Sequence, residues 1–401
     1  MITAKSMITV ERESWDDLAA SLARMSAVLP GTPADDGYRM PAEWEPHDGC
    51  YLVWPERPDN WRAGAKPAQA AWVRLAEAIA GAEPVTVLAS ARQWRNARNR
   101  LPASVRVVEA TTDDAWVRDS GPTFVVDDLG GRRAVDWAFN AWGGLRGGLF
   151  FPWDSDDILG HKIAELEGAD CYQPPLVMEG GSFDTDGEGT LLVTQECLLH
   201  PNRNPELDRD EIERYLCDHL GVRTVVWLPR GVHLDETDGH VDNFARFVAP
   251  GVVVLTWTHD RSDPQYERSA EALEILRDAT DARGRRLRVV LLHQPGPLRA
   301  TAAEVADLDV VEGSRPRLPG ERLAGSYVNC YLGNGVVVVP VFDDRHDAEA
   351  LAIYAELLPD RTVVPVPGRE ILLGGGNVHC VTQQVPSVRR DPAAVAGTLG
   401  D

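Results

Sequence analysis

Paired cysteines are missing from this sequence. Its six cysteines, Cys50, Cys171, Cys197, Cys217, Cys330 and Cys380, are scattered over 401 residues with no CxxC pair. That excludes a dense disulfide framework or a zinc ribbon and suits a reducing compartment, the cytoplasm. HExxH is absent as well, and His240-x-Asp242 offers a single pair of closely spaced ligands, so no metal is expected. Gly130-Gly131, Gly143-Gly144 and Gly147-Gly148 do not form a strand-to-helix phosphate loop, and no nucleotide cofactor is indicated. No window approaches the roughly 18 unbroken apolar residues of a membrane span. Glu11, Arg12, Glu13, Asp16 and Asp17 leave no room for the apolar segment of a secretory signal. Basic residues are in short supply: 40 Lys plus Arg face 62 Asp plus Glu, a formal charge of -22. Such a surface repels nucleic acid and anionic membranes and favours cationic small molecules as partners.

What is present is a repeated order of elements. A strand, a turn rich in Gly or Asp and a second strand recur over Gly121 to Trp137, Gly181 to Gln195, Val241 to Trp257 and Tyr327 to Val341. Asp186-Gly187-Glu188-Gly189, Ala249-Pro250-Gly251 and Gly333-Asn334-Gly335 carry hairpin turn chemistry. Each hairpin is followed by a helical stretch and a β-branched strand, as in Pro205 to Leu220, stopped by Gly221, then Arg223 to Leu228. These make four ββαβ modules. A fifth is split across the termini, because a strand over Asn377 to Gln384 lacks a following partner while Cys50 to Trp54 lacks a preceding one. Pairing the two closes a pseudo-fivefold ring of class α/β and removes free sheet edges. The expected organisation is an N-terminal extension with a helix over residues 1–39, a single catalytic domain over 40–390 and a tail over 391–401. The Pro- and Gly-rich connection 294–325 is expected to cover a site.

In each module the first strand is expected to open with a polar cluster: Arg118-Asp119-Ser120-Gly121, Glu179-Gly180-Gly181, Gly239-His240-Val241-Asp242-Asn243, Ser326-Tyr327-Val328-Asn329, and Gly374 through Cys380. Equivalent positions of a radial repeat meet at its axis, so Asp119, Glu179, His240, Asp242 and Cys380 should share one mouth. Cys beside His is the arrangement of an activated nucleophile. Three carboxylates nearby raise a thiol pKa, which is wrong for chemistry through an oxyanion. A guanidinium substrate reverses the objection, since it pairs with carboxylates in fork-like fashion and its charge compensates the site. At about 4 Å and an effective dielectric near 20, each such pair is worth up to roughly 4 kcal/mol.

Met40 through His47, Trp54-Pro55, Arg57 through Arg62, Trp116 through Pro122, Phe139 through Gly144, Glu179 through Ser182, Asn202-Arg203-Asn204-Pro205, Asp235 through Asn243 and Gly374 through Gln384 resemble the agmatine deiminase family. The match runs from about Met40 to Pro386. The resemblance implies the pentein, or α/β-propeller, fold and hydrolysis of agmatine to N-carbamoylputrescine and ammonia in polyamine metabolism, with no metal or organic cofactor. It further implies Cys380 as nucleophile, His240 as acid and base, Glu179 as its partner, Asp119 and Asp242 as guanidinium ligands, Trp116, Asp114 and Gly375 as further substrate contacts, and a homodimer or higher homo-oligomer. Tyr51, Asp184 and Cys330 stand where the family more often has Trp, His and an aromatic residue, which points to a difference around the alkyl or amine end of the substrate. The rival readings are a peptidyl- or free-arginine deiminase, with Arg118, Arg246 or Arg315 as a clamp for a carboxylate, an amidinotransferase, and a non-catalytic polyamine binder.

Overall fold

The computed structural model describes residues 26–388. Its strands fall into five small sheets, one per module. The first sheet takes β1 (His47–Val53), β2 (Val85–Ala89) and β3 (Arg106–Glu109) from the N-terminal part of the chain. The next two contain β4 (Thr123–Val126), β5 (Arg132–Val135) and β6 (Cys171–Tyr172), then β7 (Phe183–Thr185), β8 (Thr190–Thr194) and β9 (Thr224–Leu228). They are followed by β10 (Ala245–Ala249), β11 (Val252–Trp257) and β12 (Arg288–His293), and by β13 (Tyr331–Gly333), β14 (Val336–Val341) and β15 (Thr362–Pro367). Last comes β16 (Gln383–Pro386), which returns to pair antiparallel with β1, Tyr51 opposite Gln383 and His47 opposite Pro386. The ring is thus closed by the two ends of the described chain, as the sequence pattern demands.

The four continuous modules repeat one wiring. The first strand runs antiparallel to the second through a hairpin, and the second runs parallel to the third through a helical crossover, the only short route between parallel neighbours. Middle strands are covered on both faces and therefore read as unbroken apolar runs rather than alternating ones. Val336, Val337, Val338 and Val339 of β14 are all buried, and β-branching suits them to a pleated surface. The crossover helices carry their own punctuation. In Arg209–Leu220, Asp208 and Glu211 form a reciprocal capping box, and Gly221 ends the helix at φ 64, a left-handed position that favours glycine.

Several expectations need correction. The helix starts four residues inside the predicted Pro205, at Arg209, because Asp208 is the residue able to cap it. The last strand begins at Gln383, while His379–Val381 forms a 3-10 turn. Likewise Val117–Ser120 and Val241–Asn243 are short helical turns ahead of β4 and β10. The polar clusters therefore precede the first strands instead of lying on them, since local turn hydrogen bonds such as Gly121 N–H to the Val117 carbonyl and Phe244 N–H to the Val241 carbonyl take up their backbone. The first sheet, that of the split fifth module, also has a fourth strand, β3, reached through helix Trp94–Arg100, which the sequence pattern did not reveal. Residues 26–39 contain no helix, with Val28 bridging Cys171 and Arg39 bridging Val126; the remainder of the expected N-terminal extension and the tail from residue 391 lie outside the described residues. Among the described residues no helix is long and apolar enough to cross a membrane.

First strands of neighbouring modules touch, β4 with β16 and β7 with β10, so the turns that precede them crowd together at the axis. Gly221 tests the wiring around this centre: a Cβ there would sit 2.5 Å from the Tyr38 carbonyl oxygen in a left-handed conformation. Gly221→Ala is expected to cost more than about 1 kcal/mol, read as a lowered urea midpoint at unchanged slope.

Candidate active site

The five turns interlock before any substrate arrives. Asp119 Oδ1 accepts the Gly181 N–H at 2.9 Å, and the Asp242 N–H donates to the Gly181 carbonyl at 3.1 Å. Asn329 Oδ1 accepts from the backbone of His379 at 2.9 Å and of Cys380 at 3.3 Å. Arg118 donates to the His379 carbonyl at 3.4 Å and to Gln384 at 2.7 Å. A buried cluster of charges is fixed by backbone geometry as well as by side-chain packing.

Cys380 is 8 % exposed and lines a cleft together with Asp119, Trp116 and Trp142. Its sulfur receives the Asn329 side-chain N–H at 3.2 Å and lies 3.7 Å from Asp242 Oδ2. It makes no hydrogen bond with His240, whose two ring nitrogens have no hydrogen-bond partner among the described residues. The Cys–His pair expected from sequence is thus not a hydrogen-bonded couple. The imidazole instead faces two carboxylates, with Nδ1 3.7 Å from Asp119 Oδ1 and Nε2 3.5 Å from Glu179 Oε2. Gly181 marks where these groups meet: a Cβ there would fall 2.6 Å from His240 Nδ1, 2.8 Å from Asp119 Oδ1 and 3.0 Å from Asp242 Oδ2. Asp119 reaches the cleft wall, while Glu179, His240 and Asp242 lie beneath it.

Burial pushes the Cys380 thiol well above its usual range, and the charges of Asp242 and Asp119 push it further. Burial opposes charge on His240, but Asp119, then Cys197 and Glu179, hold its pKa well above the ordinary value. Asp119 is pushed up to about 6 by burial, with His240 pulling down and Asp242 and Glu179 pushing up. Burial acts on Glu179 too, yet the neighbouring Arg203 and His240 bring it below the usual carboxylate range. Asp242 is likewise lowered against its burial by the hydrogen bond and charge of His379. The site so arranged can hold a planar cation against carboxylates, present sulfur to it and deliver a proton from an imidazolium.

The cleft wall above Cys380 is aromatic. The Trp116 ring lies against Gly376, where a Cβ would be 2.6 Å from the ring and 3.1 Å from the sulfur, and Trp142 donates its Nε1–H to Asp119 at 2.9 Å. Gly375 and Asp114 also line the cleft. Asp114 already accepts from Asn60, Trp61 and Trp116, so its carboxylate anchors the tryptophan wall. The connection 294–325 contributes Leu308, Ser314, Arg315 and Arg317 to the cleft. Arg118 and Arg246 do not line it. Arg57, Arg315 and Arg317, which do, are each paired with a carboxylate: Asp59 at 2.9 Å, Glu321 at 3.5 Å and Glu236 at 2.9 Å. Tyr51, Asp184 and Cys330 bond elsewhere, Tyr51 to Glu167 and the other two to Arg246. Their departures from the family pattern therefore do not fall at the alkyl or amine end of the cleft.

Four residues beside the site carried no role in the sequence reading. Arg203 donates to Glu179 at 2.8 Å and also to Asp238 and the Trp142 carbonyl. Asn329 braces the Cys380 sulfur, and His379 with Glu43 lies behind Asp242. Arg203 and Asn329 sit in motifs recognisable as sequence, but which partner each meets depends on distant modules. Glu179, Cys197 and His240 bring one possible ligand atom each within 4.8 Å of one another. The Arg203 guanidinium on Glu179 disfavours a second cation there.

The family model for Porphyromonas-type peptidyl-arginine deiminase matches residues 39–386. The agmatine deiminase of Pseudomonas aeruginosa (strain LESB58) is 58% identical over 361 residues, 90% of this chain and 98% of its own. The agmatine deiminase of Ectopseudomonas mendocina is 56% identical over the same length, with the same coverage. The chain belongs to the agmatine deiminase family. A solved structure, the agmatine deiminase of Enterococcus faecalis catalyzing its reaction, superimposes with a TM-score of 0.89 at 45% identity, covering 91% of this chain and 100% of that one. The five-sheet ring is accordingly the α/β architecture of agmatine deiminases.

Gly181 offers a direct check on the crowded centre. Gly181→Ala is expected to lower turnover by at least about 100-fold, the usual consequence of displacing reacting groups by about 1 Å, while the melting temperature moves far less than the activity.

Proposed function

We propose that this protein hydrolyses agmatine to N-carbamoylputrescine and ammonia through a covalent adduct on Cys380. The observation that carries the reading is Asp119: it faces the cleft beside the buried sulfur, and its hydrogen bonds come from Gly181 and Trp142, neither of them charged. A guanidinium fills that vacancy in charge and, by neutralising Asp119 and Asp242, lets the sulfur ionise. The thiolate then attacks the guanidinium carbon. His240, protonated between Asp119 and Glu179, donates to the departing nitrogen, which leaves as ammonia and leaves an S-alkylthiouronium. Water adds next, the now neutral His240 takes its proton, and collapse releases the ureido product and the thiolate. Glu179, held by Arg203, orients the imidazole, while Trp116 and Gly375 wall the substrate. Six free thiols suit a reducing compartment, and we place the reaction in the cytoplasm.

The pairing of Arg57, Arg315 and Arg317 with carboxylates favours agmatine over arginine, whose carboxylate would want a free cation. Purified protein given agmatine, arginine and a blocked arginyl peptide should form ureido product and ammonia from agmatine far faster than from the others. Equal turnover of the peptide would transfer the assignment to a peptidyl-arginine deiminase. Cys380→Ser should abolish product and Cys330→Ser preserve it; activity that follows Cys330 would overturn the site.

The pH profile has a definite sign. Asp119, pushed up to about 6, must be ionised to bind the cation, so kcat/KM should rise with pH through that region. His240 must be protonated to expel ammonia, and its raised pKa moves the alkaline fall above the ordinary histidine range. Activity that declines between about pH 5 and 7 would contradict this assignment of acid and base.

A further inference from the structure

His379 immediately precedes Cys380 and is almost wholly buried. Its Nδ1 lies 2.7 Å from Asp242 Oδ2 and its Nε2 2.7 Å from Glu43 Oε2. Both ring nitrogens thus lie within hydrogen-bonding distance of a carboxylate oxygen. Glu43 is held in turn by Arg246, which also grips Asp184 at 3.0 Å, and the Leu332 N–H donates to Glu43 Oε1 at 2.8 Å. Behind the reacting groups therefore runs a continuous chain, Asp184, Arg246, Glu43, His379, Asp242, that ends at the carboxylate touching the sulfur.

We propose that His379, backed by Glu43, is a positioning residue that keeps Asp242 ionised and aims its free oxygen at the guanidinium. Asp242 needs such a partner: its Oδ1 is buried and without a hydrogen bond among the described residues, the atom left for the substrate, so orientation must come through Oδ2. An unassisted buried carboxylate would protonate rather than wait as an anion. The charged groups facing Asp242 are His379, His240 and Arg246, which favour its anion, and Asp119 and Cys380, which oppose it when ionised. His379 itself faces Glu43 and Asp242, with Arg118 on its carbonyl. The inference rests on the roles given above to Cys380 and Asp242.

Kinetics with agmatine across pH, for the wild-type protein, His379→Gln and Glu43→Gln, test it. Glutamine at 379 can donate to one carboxylate only, so kcat/KM should fall about 100-fold. Its acid limb, set in the wild type by Asp119, should move to higher pH once Asp242, without the bond that holds its pKa down, titrates above Asp119. Glu43→Gln keeps an acceptor for His379 and should lose less, with the limb displaced in the same direction. His219→Gln, at a buried histidine outside the cleft, should leave the profile in place. Iodoacetamide alkylation of Cys380 gives a readout independent of substrate: thiolate formation in His379→Gln should shift to higher pH, the sulfur then facing an uncompensated Asp242. If His379→Gln does not fold, Glu43→Gln decides alone. Variants that fold like the wild type and keep both its acid limb and its alkylation profile would overturn the inference. A wild-type protein inert toward agmatine would instead remove the proposed function, and the alkylation profile would still judge His379.

Discussion

Everything at the axis of this ring depends on how buried negative charge is compensated. Glu179 has Arg203 at 2.8 Å, Asp242 has His379 at 2.7 Å, and Glu43 has both His379 and Arg246. Asp119 differs, since His240 at 3.7 Å is its nearest cationic partner and its hydrogen bonds come from a backbone N–H and an indole. Buried carboxylates are tolerated when paired, and of these four the one with the weakest pairing looks into the cleft. On the proposed reading, that is where the substrate cation sits, within reach of the sulfur.

That arrangement explains why a thiol pushed well above its usual range is compatible with catalysis. A nucleophile ionised at rest would be open to alkylation and oxidation. In the proposed mechanism the charges that hold the thiol neutral are the same ones that bind the substrate, so ionisation is tied to occupancy. Trp116 and Trp142 line the cleft beside Asp119 and Cys380, and an apolar neighbour of this kind strengthens a charge contact. Specificity for a cation and activation of sulfur become one effect.

Much of this was legible in the sequence, and the exceptions have physical reasons. The modular order could be read because hairpin turns such as Gly333-Asn334-Gly335 and stops such as Gly221 are local signals, set by backbone conformation within a few residues. Convergence of Asp119, Glu179, His240, Asp242 and Cys380 followed from equivalence of modules, which needs no side-chain detail. The extents of the polar turns were misjudged because Val117, Val241 and Val381 flank them, and β-branched residues suggest strand where short helical turns occur. Roles for Glu43, Arg203, Asn329 and His379 could not be read, because each is defined by a partner more than twenty residues away, and no periodicity encodes which one.

The split fifth module carries a consequence for the chemistry. Cys380 lies on the turn just before β16, and β16 is held in the ring by β1, so the proposed nucleophile is placed by pairing between distant ends of the described chain. Arg118 adds to that closure from the neighbouring module through Gln384 and the His379 carbonyl. Until β1 and β16 pair, the sulfur has no fixed relation to Asp119, Glu179, His240 or Asp242, which all belong to the continuous modules. A closed ring is therefore a precondition for assembling the site as well as a way to remove sheet edges. The long-range pairing that is slowest to form in such a topology is also the one that brings the sulfur to the carboxylates.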